Sequence, residues 1–219
     1  MGVQDRKQRE KANREQAILA AAKAVFGTKG LVATTIDDIA AEAEMGTGTL
    51  YRYYRSREAI MLTISEQAFE QLHDCFVAAA AQGTTGLDKL QRAVRAYYQF
   101  ALDNPAYFRF VVFSESPFTT ATSEKLQRIS TAIYGLMSQL HAQGVADGSI
   151  RQDINAHLIA NILWACSSGM MQFITNSGQL VQQQQLNQQD LFEAYLKLLG
   201  NALSPPSQGE NDSQQVVGT

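Results

Sequence analysis

Apolar residues recur at helical spacing along most of the chain. Ile18, Ala22, Val25 and Phe26 line one face of a segment from about Arg14 to Phe26, and Gly27 to Gly30 end it with residues suited to left-handed geometry. Thr35 is placed to cap a short helix striped by Ile36, Ile39, Ala40 and Ala43. A break at Glu44 to Gly46 separates it from Thr47 to Tyr54, with Leu50 and Tyr54 inward. Ser56 is placed to cap a long helix on which Met61, Ile64, Ser65, Ala68, Leu72, Cys75, Phe76 and Ala79 keep one mostly apolar face. Gln82 to Gly86 break the pattern before Leu87, Leu90, Val94, Tyr97, Tyr98 and Ala101 begin another. Asn104 as N-cap and Pro105 at the first helical position predict a new helix start. A loop follows at 114–123, then a stripe from Leu126 to Leu140 that fades at Gly144 to Gly148, with Asp153 placed to cap the next helix. Residues 154–176 are apolar nearly all round, as in a helix buried on several sides, and Phe192, Tyr195, Leu196 and Leu199 mark a last amphipathic helix.

Two short helices separated by a tight break, braced by a third, predict a helix-turn-helix in residues 14–58. The second helix turns hydroxyls, phenols and a guanidinium outward. Such groups at the start of a helix suit a phosphate-lined groove. The DNA-facing set read from this pattern is Thr35, Met45, Gly46, Thr47, Gly48, Thr49, Tyr51, Arg52, Tyr53 and Arg57. Gly48 would let the backbone approach a duplex closely. Tyr53 and Arg57 are assigned to phosphate and Thr47 to sequence preference.

Charge sharpens that division. The whole chain of 219 residues carries a formal −3, but residues 1–58 hold 10 Lys/Arg against 8 Asp/Glu, and residues 59–219 hold 8 against 13. The N-terminal module is thus the one directed toward phosphates. Within it, residues 1–13 form a basic arm, read either as a disordered strand reaching DNA or as the solvated beginning of the first helix. Cys75 and Cys166 are widely separated, and His73, His141 and His157 are scattered. Neither a metal site nor a cofactor site is expected. With no secretion signal and no apolar run expected to cross a membrane, a cytoplasmic protein with reduced thiols is expected.

The stretch TTIDDIAAEAEMGTGTLYRYYRSRE, together with QAILAAAKAVFGTKGLVATT upstream, resembles the tetracycline-repressor (TetR) family of bacterial transcriptional regulators. About a quarter of the chain carries the resemblance strongly, with a weaker echo at FALDNPAYFRFVVF. Three positions depart from the family pattern: Glu44 stands where Gly is usual, Gly46 where Ser is usual, and Thr47 where Lys is frequent. Glu44 is expected to take a left-handed conformation at a cost of roughly 1 kcal/mol. The resemblance implies an all-α chain with a three-helix DNA-binding domain and a C-terminal helical domain for ligand binding and dimerisation. It also implies a homodimeric repressor that a small molecule releases from a palindromic operator.

Residues 59–203 are accordingly read as the effector-binding and dimerisation domain, the glutamine run Gln182 to Gln185 as a polar connector, and 204–219 as a disordered tail. Aromatic residues crowd positions 97–118. An apolar or amphipathic ligand needs apolar walls with a few phenols or imidazoles, and Tyr98, Phe113, Tyr134, His141 and Trp164 form the expected lining set. Small residues such as Ala160, Ala165 and Gly169 in 154–176 would permit close approach of a twin subunit. An enzyme would need a convergent catalytic or metal-binding constellation, and the sequence offers none. The other alternative is a helical interaction protein that keeps the scaffold without DNA binding.

Overall fold

The computed structural model describes residues 2–114, 122–176, 183 and 185–206, with the side chains of Val3, Phe113 and Ser114 excepted. Among these residues every regular element is a helix: α1 (Val3–Lys29), α2 (Ile36–Glu42), α3 (Thr47–Tyr51), α4 (Arg57–Ala80), α5 (Gly86–Asp103), α6 (Pro105–Ser114), α7 (Glu124–Ala146), α8 (Ala156–Asn176) and α9 (Gln188–Leu203). Most of the loop expected at 114–123, including Phe118, falls outside the described residues. So do Gln182 and Gln184 of the glutamine run and the tail beyond residue 206.

Three boundaries differ from the sequence pattern. Helix α1 begins at Val3, not near Arg14, so the basic arm is the solvated beginning of the first helix, the second of its two readings. Its exposed first turns carry the i,i+4 pairs Lys11–Glu15 and Arg14–Glu10, which support a helix that has no apolar face to bury. Helix α3 ends at Tyr51, and Tyr53 N–H and Tyr54 N–H both return to the Leu50 carbonyl, at 2.9 and 3.0 Å. Helix α8 is capped by Asn155, whose side chain accepts from His157 N–H at 2.8 Å. The expected cap, Asp153, is instead taken up by the Arg151 guanidinium at 2.6 Å.

The chain divides into two compact units, Met1–Gln71 with Asn104–Ile129, and Leu72–Asp103 with Ser130–Thr219. In the first, Ile18, Ala22 and Phe26 of α1 are buried together with Ile39 and Ala40 of α2, Leu50 of α3 and Ile60 and Ile64 of α4. Helix α6 packs on α1 in the same unit: Phe26 and Phe110 meet edge to face at 5.4 Å, and Arg109 donates to the Gly27 carbonyl at 2.9 Å. Lys23 lies over the Tyr107 ring and donates to its hydroxyl at 3.0 Å. Five residues of α3 cannot hold a helix alone. Burying Leu50 completely, worth about 1.5–3 kcal/mol, is what anchors it.

In the second unit the backbones of α5 and α7 touch. A Cβ on Gly86 would lie 2.0 Å from the Gly144 nitrogen, so only glycine fits there. The first turn of α5 is satisfied from the connection after α7: Gly86 N–H donates to Asp147 at 2.7 Å and Leu87 N–H to Ser149 at 3.1 Å. Against the expectation from sequence, α8 is long and apolar enough, by length and composition, to cross a membrane. Its apolar residues divide between two sides. Ile159, Leu163, Met171 and Ile174 are buried in the unit, and Leu158, Ile162 and Phe173 form an exposed stripe with Cys166 and Gly169 between them. Ser167 and Ser168 on the same helix hydrogen-bond Tyr195 and Tyr97. These are the marks of a core helix with one uncovered apolar face.

Candidate nucleic-acid interface and ligand cavity

Thr35 caps α2 reciprocally with Asp38: Asp38 N–H donates to the threonine hydroxyl at 3.2 Å, and Thr35 N–H donates to the Asp38 carboxylate at 2.9 Å. Lys29 also donates to Asp38. That bond, followed by those from Thr35, holds the Asp38 carboxyl down to about 2. The start of α2 is therefore fixed to the end of α1.

The turn after α2 is a Schellman closure. Met45 N–H returns to the Ala40 carbonyl at 2.9 Å and Glu44 N–H to Ala41 at 3.1 Å, with Glu44 at φ 52°. Glu44 thus does what glycine would do freely. Gly46 then caps α3, and the Thr47 hydroxyl donates to the Asp37 carboxylate at 3.0 Å.

With Leu50 fixed inward, the remaining surface of α3 is set. Gly46, Gly48, Tyr51 and Arg52 are exposed, and Met45, Thr47, Thr49 and Tyr53 are half-buried. A Cβ added at Gly46 or Gly48 would meet no atom within 4 Å. Nothing inside the protein demands glycine at either position. Among the described residues Arg52 and Arg55 make no ion pair. Arg57 has a different setting: its guanidinium donates to the carbonyls of Val32 at 2.8 Å and Thr34 at 3.1 Å and pairs with Glu58. It staples the α1–α2 loop to the start of α4. Tyr54 is half-buried, its phenol pushed up by burial and then by the Glu15 carboxylate of α1, which stands within electrostatic reach.

The second unit holds a small apolar cavity, partly open to solvent, between α4, α5, α7 and α8. Tyr134 and Trp164 line it, as expected. Tyr97, Met137 and Ser167, which the sequence pattern did not single out, line it too. Tyr97 stacks on Trp164 at 5.4 Å and bonds Ser168 at 3.1 Å. Tyr98, one residue on, points about 100° away around the helix and stacks on Phe192 at 4.0 Å, outside the cavity. His141 does not line it either. That side chain is 3% exposed, and neither ring nitrogen has a hydrogen-bond partner among the described residues. The Phe113 side chain lies outside the described residues. No carboxylate, ammonium, guanidinium or imidazole lines the cavity among the described residues. The missed residues carried a readable signal, because Tyr97 and Met137 sit on stripes that the pattern assigns to the core and Ser167 sits in a helix read as buried on several sides.

Comparison with known proteins agrees with this geometry. Residues 18–64 match the family described as bacterial regulatory proteins, tetR family, and residues 90–199 match the tetracyclin repressor-like C-terminal domain. The chain is 27% identical over 156 residues to the HTH-type transcriptional repressor KstR2 of Rhodococcus jostii, covering 70% of this chain and 76% of that one. The crystal structure of the MbdR regulator from Azoarcus sp. CIB superposes with a TM-score of 0.69 at 26% identity, over 88% of this chain and all of that one. The transcriptional regulator FadR from Bacillus subtilis, solved in complex with stearoyl-CoA, shares the fold at a TM-score of 0.69 and 16% identity, over 86% and 98% of the two chains. The chain belongs to the tetracycline-repressor family of DNA-binding transcriptional regulators.

Proposed function

We propose that this regulator is a homodimeric repressor that lays α3 of each protomer in the major groove of a palindromic operator and leaves it when a small, uncharged, largely apolar molecule enters the cavity of the second unit. It acts in the cytoplasm, where the operator lies. The observation that carries the DNA-reading part is the open space around Gly48: the fold leaves a gap beside an exposed face of hydroxyls, a phenol and Arg52, with no internal reason for glycine. Close approach of a phosphate backbone supplies that reason. Thr35, Met45, Gly46, Thr47, Thr49, Tyr51 and Tyr53 complete the contact set.

The ligand class follows from desolvation. A charge taken into a cavity with no opposite charge is left unpaired at a cost of several kcal/mol, whereas an apolar body with one hydroxyl or carbonyl can use Tyr134 or Ser167. Dimerisation is assigned to the exposed stripe of α8 and to Leu198 of α9, 69% exposed. Response to the ligand is assigned to α4, a single helix that begins in the first unit and ends in the second. A ligand that favours one of two states lowers operator affinity by its differential affinity for them, typically ~5–150-fold.

Gly48→Ala tests the reading. On helix propensity alone alanine should stabilise the protein by about 0.5–1 kcal/mol. The expected result is an unchanged or raised melting temperature with operator affinity reduced at least tenfold. Undiminished affinity would overturn the assignment of α3 to the groove.

A further inference from the structure

One stripe of α1 changes chemistry halfway along. Lys7, Lys11, Arg14, Ile18, Ala22 and Val25 follow one another at intervals of four, three, four, four and three residues, and so share a single face. The last three are buried among the helices of the DNA-reading unit. The first three are exposed. Over the same residues, Asp5 to Glu15, the helix carries five cations against three carboxylates.

The level at which the stripe changes is fixed. At its C-terminal end α1 is tied to the start of α2 by Lys29 and Asp38. Lys7 and its neighbours lie about six turns earlier in the helix, and between the two levels Glu15 is within electrostatic reach of Tyr54, just past the end of α3. Residues 3–14 therefore extend α1 by about 18 Å on the N-terminal side of the segment buried in the DNA-reading unit. They present, on the face that α1 buries further along at Ile18, Ala22 and Val25, a row of exposed positive charge.

We infer that Lys7, Lys11 and Arg14 form an auxiliary phosphate-binding stripe that grips the duplex backbone flanking the half-site read by α3. This rests on the assignment of α3 to the major groove. Duplex DNA presents a phosphate charge about every 1.7 Å of its axis, so a row of cations at one- and two-turn spacing matches it without any base-specific geometry. The existing ion pairs do not oppose the assignment. Lys11–Glu15, at 3.8 Å, and Arg14–Glu10, at 2.8 Å, are both exposed, and such pairs are weak enough to be exchanged for phosphate. Lys7, Arg6 and Arg9 make no ion pair among the described residues.

The test compares the full chain with Lys7→Gln/Lys11→Gln/Arg14→Gln on one selected operator duplex across a salt series. Every phosphate that the variant no longer neutralises lowers the slope of log affinity against log salt by about 0.9. The expected result is a slope shallower by about 2–5, an affinity lower by about tenfold or more at physiological salt, an unchanged selected sequence and a shortened hydroxyl-radical footprint at the flanks. Lys7→Arg/Lys11→Arg/Arg14→Lys should restore the slope, which separates charge from helix integrity. An unchanged slope in the glutamine variant, with operator binding intact, would overturn this inference and leave the α3 assignment standing. An unchanged slope accompanied by lost binding to phosphatidylglycerol vesicles would overturn it in favour of lipid phosphate. Absence of salt-dependent duplex binding by the full chain would overturn both readings.

Discussion

The hydroxyl of Thr47, the first residue of α3, donates to the carboxylate of Asp37 in the first turn of α2 at 3.0 Å. The two helices of the motif are thus joined through a side chain that faces the proposed groove. Thr47 has one proton and gives it to Asp37, leaving its oxygen lone pairs as acceptors toward a base.

Thr47→Val keeps the shape and removes the hydroxyl. Because the bond is exposed, stability should fall by no more than about 1 kcal/mol, and selection from random duplexes should return a different preferred sequence. Uniformly weaker binding with the same preferred sequence would reassign Thr47 to the backbone. Asp37→Asn, which removes a negative charge from this surface, should raise affinity for all duplexes alike.

Arg57 and Arg52 should separate in a paired experiment. Arg57→Ala removes charged hydrogen bonds to the Val32 and Thr34 carbonyls and should cost about 1.5–3 kcal/mol of stability, read as a lower melting temperature. Operator affinity falls with it. Arg52→Ala should lose affinity without losing stability, since Arg52 is exposed and unpaired among the described residues. Equal melting temperatures for the two variants would show that the Arg57 staple carries no weight.

Much of this motif was readable in the chain because its signals are local. Thr35 lies three residues before Asp38, Leu50 is the one large aliphatic in α3, and Glu44 occupies the position where the turn needs a left-handed residue, as found at φ 52°. Periodicity says which residues turn inward but not what they meet. It could not tell that Tyr97 faces a cavity and its neighbour Tyr98 faces Phe192, or that Arg57 reaches back 25 residues to Val32. The sequence left the start of α1 open between two readings for a related reason. Its first turns are held by intrahelical ion pairs, which leave no apolar stripe to detect.

His141 should make the protein acid-sensitive. Burial holds its imidazole below the ordinary value of about 6.5, so the folded state keeps it neutral while the unfolded chain takes up a proton. The unfolded state binds more protons below about pH 6.5, and stability is therefore lost as pH falls from there toward the depressed folded value. His141→Leu removes two unsatisfied buried nitrogens. It should leave stability at pH 7.5 unchanged or raise it by up to about 1–3 kcal/mol, and flatten the decline between pH 7 and pH 5. Chemical denaturation at a series of pH values measures both effects.

Ile162 lies on the exposed stripe of α8, 49% exposed in the single chain. Ile162→Glu should leave the fold intact, because the side chain contributes little to its own core, and should shift sedimentation from dimer to monomer. Operator affinity should fall with dimer content. A stable dimer in this variant would locate the self-association surface elsewhere.

The contact of Gly86 with Gly144 makes a drawing compass of the second unit. The pin is where two backbones meet with no side chain between them, and the cavity opens between the legs 7 to 11 residues out, at Ala93 to Tyr97 on one and Ile133 to Met137 on the other. That is about 10–16 Å from the pin. On the proposed reading, a molecule held there would be a spacer before it is anything else. Its thickness would set how far the legs part, whatever functional groups the molecule bears. Compounds of equal affinity but different girth would then produce graded responses, and a thin one would occupy the site while leaving the repressor on its operator.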